Sequence, residues 1–224
     1  MTLQELNVGL LDCCCCPRLV EWREQVAREK RRAYRDQIYW GKPVPGFGDP
    51  NARVFVVGLA PGAHGSNRTG RQFTGDASGD FLYPALYRGG FASRPTSVSR
   101  EDGLELIDLY MAPVCRCAPP DNKPTPQEIA NCRPYLKLEL AILKPKVIVA
   151  LGRIAFDTIK SIFLLPASAV FSHAALFPLQ ADSADRWLLA SYHPSRQNTQ
   201  TGRLTAGMFD EVWKTARDLL ERNC

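Results

Sequence analysis

The sequence predicts an α/β fold with a central parallel sheet covered by helices on both faces. Three observations carry that prediction. Short β-branched apolar runs alternate with segments of helical periodicity. The runs RVFVVGL and KVIVAL are apolar throughout, as strands buried on both faces are. The length of 224 residues suits one such domain, and at this size folding buries roughly 70–75% of the surface of the unfolded chain.

Taken in order, residues 17–39 read as one helix. Leu19, Trp22, Val26 and Tyr34 form its apolar stripe, with Arg23, Arg28, Lys30, Arg31, Arg32 and Arg35 on the other face. Pro17 suits a first helical turn, and Gly41 with Pro43 stops the helix. A Pro/Gly-rich connector over 42–51 leads into a strand at 53–59. Residues 60–79 form a Gly-rich loop of twenty residues, a length that inside a compact domain is usually functional. A helix is predicted over 78–87 and a second strand within 104–114. Thr125-Pro126-Gln127-Glu128 is a capping box with proline at the first helical position, opening a helix to Leu143. A third strand at 146–151, a helix over 153–163, a fourth strand within 186–192 and a last helix over 207–221 complete the chain. It reads as one domain, residues 1–224, with the N-terminal helix packed on it. Ligands of such sheets gather beyond the carboxyl ends of the strands, where the loops at Ala60 and His193 begin.

Apolar residues at 45% and charged residues at 23% exclude wholesale disorder. No apolar run reaches membrane-spanning length, so no membrane partner is expected. The first twelve residues lack the basic start and long apolar stretch of a secretory signal, so a cytoplasmic protein is expected; a monomer is expected as well. The balance of 28 basic to 23 acidic residues, a net charge of +5, permits a polyanionic partner.

The 8 cysteines stand out, because a reducing compartment disfavours disulfides. In the run of residues 13–16 only Cys13 and Cys16 have CxxC spacing. Cys115, Cys117 and Cys132 follow, with Cys132 in the second turn of the capped helix. A site built from Cys13, Cys16, Cys117 and Cys132 would tie the N-terminal helix to the middle of the domain. Four thiolates suit zinc or an iron–sulfur cluster, and spacing alone does not choose. Cys115 is the substitute ligand, and no role falls to Cys14, Cys15 or Cys224. Buried free cysteines packing as small hydrophobes are the plain alternative.

The loop GLAPGAHGSNRTGRQFTGD is neither GxxxxGK[ST] nor GxGxxG. Its small residues Gly58, Ala60 and Gly62 let backbone approach a ligand closely. Arg68 and Arg71 could meet phosphates, Phe73 offers a stacking face, and Asp76 a carboxylate. Phe73 would serve equally as a core aromatic, and Asp76 as a residue complementing a helix N-terminus.

Four segments in order, CCCCPRLVEWRE, GLAPGAHGSNRTGRQFTGD, RCAPPDNKPTPQEIANCRPYL and SYHPSRQNTQTGRLT, resemble a family 5 (type B) uracil-DNA glycosylase. The resemblance implies a three-layer α/β/α sandwich, a [4Fe–4S] cluster and hydrolysis of the N-glycosidic bond of a deaminated base in DNA. By position it implies Cys13, Cys16, Cys117 and Cys132 as cluster ligands. It implies Asp76 of TGD as the water-activating carboxylate and Phe73 as the ring stacking on the flipped base. It also implies Asn122 as the active-site asparagine and His193 of HPS as the catalytic histidine. Family 4 enzymes carry a uracil-reading asparagine where this sequence has Pro113. His64 is a second candidate beside the base. Arg196, Gln197, Asn198 and Arg203 are expected to flank the DNA, since a loop beside a flipped base meets backbone phosphates. Two other readings remain: an iron–sulfur module that senses deaminated bases without cleaving them, and an enzyme acting on free nucleotides. The first would bind uracil-containing DNA and never release free base.

Overall fold

A computed structural model of the chain describes residues 1–179 and 185–222. Cys224 lies outside the described residues. In chain order the elements are α1 (Leu3–Leu10), α2 (Pro17–Glu29), β1 (Phe47–Gly48), β2 (Val54–Gly58), α3 (Ser66–Thr69) and α4 (Ala77–Arg88). Then come β3 (Leu109–Pro113), α5 (Pro126–Leu143), β4 (Val147–Leu151), α6 (Arg153–Ile162), β5 (Leu176–Leu179), β6 (Arg186–Ser191), α7 (Arg196–Gln200) and α8 (Ala206–Glu221).

The six strands form one sheet in the order β1-β3-β2-β4-β6-β5. The four central strands are parallel, in the register Val54↔Leu109, Val54↔Val147 and Val147↔Trp187. Every residue of β2, β3 and β4 is buried, as their unbroken apolar runs predict. The two edges differ from the expected parallel sheet, because β1 and β5 pair antiparallel to β3 and β6. One is two residues long and the other carries Pro178, so neither leaves a strong sequence signal.

Helices cover both faces, which gives the three layers. Leu82, Tyr83 and Leu86 of α4 and Phe209, Val212 and Trp213 of α8 pack with Val54, Val56 and Val149. On the other face Leu3 of α1, Leu136 and Leu140 of α5, and Phe156 and Ile159 of α6 pack with Phe55, Val57 and Ile148. The chain leaves β2 through α4 to reach β3, then returns through α5 on the opposite face to β4, on the other side of β2. The strand order therefore reverses at β2, and a crevice opens beyond its carboxyl end.

The helix expected over residues 17–39 stops at Glu29. Lys30 takes φ 57°, and a separate 3₁₀ turn covers Arg32–Tyr34. A continued helix would also set Arg28 with Arg32, and Arg31 with Arg35, as like charges one turn apart, a cost of about 0.2–0.5 kcal/mol per pair. Arg23 does not lie on the solvated face. It is buried between Leu19 and Val26. Helix α1 was legible in principle, since Thr2 and Glu5 form a complete capping box. Among the described residues no helix is long and apolar enough to cross a membrane.

Candidate active site

A cleft of about 760 Å³ opens at the reversal point. It gathers Gly58, Ala60, Gly62, His64, Phe73 and Asp76 from the β2–α4 loop, Asn122 from the β3–α5 loop, and His193 and Arg196 after β6. Residues separated by more than a hundred positions meet because all three loops leave the carboxyl ends of parallel strands of one sheet, β2, β3 and β6.

Phe73 is held in the left-handed region at φ 51°, an uncommon state for a bulky residue. The Tyr83 hydroxyl fixes the preceding carbonyl, donating to Gln72 O at 2.7 Å. A Cβ on Gly58 would stand 2.9 Å from the Phe73 ring, so glycine lets that ring lie over the end of β2. On the other side the Phe73 and His193 ring centroids are 5.9 Å apart.

Asp76 is the N-cap of α4. Its Oδ1 accepts from Ser78 N and Gly79 N, both at 3.0 Å. Its Oδ2 faces Gly62 and Gly65, and a Cβ on Gly65 would collide with it. One oxygen is thus committed to the helix and the other is left to the cleft. Burial pushes the carboxyl pKa up against the lowering pull of those two amides.

His193 is half-buried, and among the described residues no protein group bonds either ring nitrogen. Desolvation lowers its pKa to about 4, so the ring is neutral at pH 7. His64 receives Tyr39: its Nδ1 lies 3.1 Å from the Tyr39 hydroxyl. Burial first, then Arg31 and Arg68, lower its pKa. Asn122 takes φ 57° and is exposed, its amide without a partner among the described residues. Left-handed backbone at both Phe73 and Asn122 is strain concentrated at one cleft.

Several expected DNA contacts are corrected. Arg68 is buried and fully engaged, donating to His64 O at 2.8 Å, Gln37 Oε1 at 2.5 Å and Gly75 O at 3.0 Å. Its guanidinium also lies 4.0 Å over the Tyr34 ring. Arg71 is buried in a fork with Asp102 at 2.8 and 2.6 Å and bonds Ser97 and Thr74. Both hold the loop together and neither lines the cleft. Asn198 likewise turns inward, donating to His193 O at 2.9 Å, so it positions the histidine loop. Arg196 and Gln197 are exposed at the cleft rim. Arg203 is exposed outside the cleft, 4.6 Å over the Tyr192 ring.

The Arg71–Asp102 pair supports a stability prediction. Burial alone would raise the Asp102 pKa, but Arg71 and the amides of Leu104, Val98 and Ser99 hold it well below the usual carboxylate range. Its contribution is present above the unfolded pKa and is lost as pH falls through the folded one. Arg71→Met is expected to destabilise the fold by about 3–5 kcal/mol, because it strands a buried carboxylate. Urea unfolding at pH 7 measures this, and a loss under 1 kcal/mol would be too small for a buried pair.

The cysteines also converge. Cys16, Cys115, Cys117 and Cys132 pack with Leu19 and Ala60, which ties them to the cleft wall. Cys13 stands close enough to act electrostatically on Cys16 and Cys117. Among the described residues no three His, Cys, Asp or Glu side chains already form a metal-holding group. The donor chemistry nonetheless fits a thiolate-bound centre, and buried Arg23 adds to the fit by donating to Cys117 Sγ at 2.9 Å. The Cys115 Sγ lies 3.9 Å from that of Cys132.

Arg31, Tyr34, Gln72 and Ser195 also line the cleft, and sequence reasoning assigned them no part in it. Arg31 and Tyr34 were placed on a continuous helix, so the break at Lys30 hid them.

The cleft thus brings together the Phe73 ring, the outward Asp76 oxygen and the His193 imidazole. The family described as the uracil DNA glycosylase superfamily matches residues 45–217. A type-5 uracil-DNA glycosylase of Thermus thermophilus is 55% identical over 212 residues, 94% of each chain. The type-5 uracil-DNA glycosylase of Pyrobaculum aerophilum is 46% identical, over 92% of this chain and 88% of its own. The type-4 uracil-DNA glycosylase of the same organism is 35% identical over 69% and 63%. The chain belongs to the uracil-DNA glycosylase superfamily, in its type-5 family.

Proposed function

We propose that the protein removes uracil from DNA by hydrolysing the N-glycosidic bond, acting as a monofunctional glycosylase on a flipped-out nucleotide. The observation that carries this reading is the meeting of Phe73, Asp76, Asn122 and His193 in one cleft, in a chain whose type-5 relatives bear that activity in their names. Extruding the nucleotide costs a few kcal/mol, and stacking on Phe73 returns about 1–3 kcal/mol. Water attacks C1′ and its oxygen bonds to that carbon. The C1′–N bond breaks with its electron pair going to the base. The free Asp76 oxygen takes the proton from the water. Neutral His193 donates a hydrogen bond to the base oxygen where negative charge grows, helped by backbone N–H groups at the end of β2. Asn122 lines the same cleft, where its amide would hydrogen-bond the water or the base edge. No lysine lines the cleft among the described residues, which supports hydrolysis without Schiff-base chemistry.

Pro113 supports a base range reaching hypoxanthine and xanthine, since it places no side-chain amide on the wall. A panel of duplexes containing uracil, hypoxanthine or xanthine, with single-stranded uracil DNA alongside, tests the reading. Free uracil is the expected product. Tight binding of uracil DNA with no released base would overturn the glycosylase assignment. We propose that the protein acts as a monomer in the cytoplasm.

The four thiolates of Cys13, Cys16, Cys117 and Cys132 are proposed to hold a [4Fe–4S] cluster. When bound, the cluster would supply a cross-link between the start of α2 and the β3–α5 region, and no part of the glycosidic chemistry. Arg23 would offset the thiolate charge. Purified protein is expected to carry iron and acid-labile sulfide, and Cys132→Ser to lose them. Stoichiometric zinc without iron would overturn the assignment.

A further inference from the structure

A second cavity of about 580 Å³ lies beside the base cleft and has no part in the chemistry above. One wall separates the two. Tyr39 lines the second cavity and bonds His64, which lines the first. Arg68 lines the second and stacks on Tyr34, which lines the first. The segment of residues 31–40 therefore serves both spaces.

The second cavity has the surface a nucleobase would need. Ile38 is 93% exposed at its edge, and Val98 is exposed beside it. The Arg100 guanidinium lies 4.4 Å over the Trp40 ring. Gly70 makes room for both side chains, since a Cβ on it would stand 2.8 Å from the Trp40 ring and 3.1 Å from Arg100 Cδ. Trp40 thus backs Arg100 and flattens it, and the outer face of Arg100 stays open. Guanidinium planes and apolar side chains are what single-stranded bases stack on. The surrounding charge is complementary to phosphate: Arg31, Arg32, Arg35 and Arg100 are exposed, against Asp36 and Glu101.

We propose that this cavity is a second base subsite, taking the nucleobase next to the extruded one on the same strand, packed between Ile38 and Arg100. The proposal rests on the glycosylase reading, because the first cleft must hold the extruded nucleotide.

The test uses Ile38→Ala, Arg100→Ala and Arg100→Lys with uracil duplexes. Companion duplexes carry an abasic tetrahydrofuran residue on one side or the other of the uracil. Ile38→Ala and Arg100→Ala are expected to raise KM about 5- to 150-fold, the value of one base stack. The single-turnover rate at saturation should not change. Arg100→Lys keeps the charge and loses the plane, so it should resemble Arg100→Ala. Wild-type protein should suffer the same KM loss when the base on one particular side is absent, and on that substrate the variants should lose nothing more. KM values unchanged in both alanine variants would overturn the subsite. So would an equal loss for all three substrates, or full rescue by lysine, which would reduce Arg100 to a phosphate contact. Should the wild type release no base, the glycosylase reading fails instead. The subsite is then read separately, from quenching of 2-aminopurine beside the uracil and its loss in Ile38→Ala.

Discussion

Replacing Asp76 with asparagine is expected to slow single-turnover excision about 10²- to 10⁴-fold, the usual worth of a positioned general base. Asparagine isolates the charge. Asp76 also caps α4 through Oδ1, and asparagine caps a helix about as well as aspartate, so the fold and DNA affinity should persist. Alanine would lose the cap too, adding about 1 kcal/mol of destabilisation. The wild-type pH profile should carry the same signature. Burial raises the Asp76 pKa, so excision should fall as pH drops through a value above the ordinary carboxylate of ~3.9. The rate should be full above that value, and the acid limb should vanish in Asp76→Asn. Excision at the wild-type rate by Asp76→Asn would remove the carboxylate from the mechanism.

The same residue shows which parts of the site the sequence could reveal. Phe73, Asp76, Asn122 and His193 sit in short motifs whose order matches a family, so their meeting was legible before any coordinates. The central strands were legible because burial on both faces leaves unbroken apolar runs such as VFVVG and VIVAL. The direction of the arginines was not. Arg68 and Arg71 read as phosphate contacts, but their partners Gln37 and Asp102 lie 31 positions away in opposite directions. No local rule links such pairs, and only the folded loop shows both side chains buried. Arg23 shows the same. Its charge put it on the solvated face with the other arginines, and its burial makes sense only once Cys117 is seen beside it. The edge strands β1 and β5 were missed because short segments carry too few residues to establish a period.

His193→Ala is expected to cut the excision rate about 10²- to 10³-fold, the cost of one donor aimed at developing negative charge. The structure favours a neutral donor. Desolvation lowers the pKa to about 4, and neither ring nitrogen is spent on a partner among the described residues. Were imidazolium the donor, the rate would fall as pH rose through 4, leaving little activity near neutrality. A neutral donor predicts no loss from His193 between about pH 5 and 8, where an unperturbed histidine of ~6.5 would titrate. Stability follows the same group with a definite sign. Its folded pKa lies below the unfolded one, so the unfolded chain binds more protons in between. Stability should be full above ~6.5 and decline as pH falls toward 4, and His193→Gln should remove that slope. Glutamine also keeps an uncharged N–H donor, so His193→Gln should recover part of the rate that alanine loses. If both variants excise equally slowly and the wild-type rate falls through the histidine's titration, the positive charge rather than the N–H does the work.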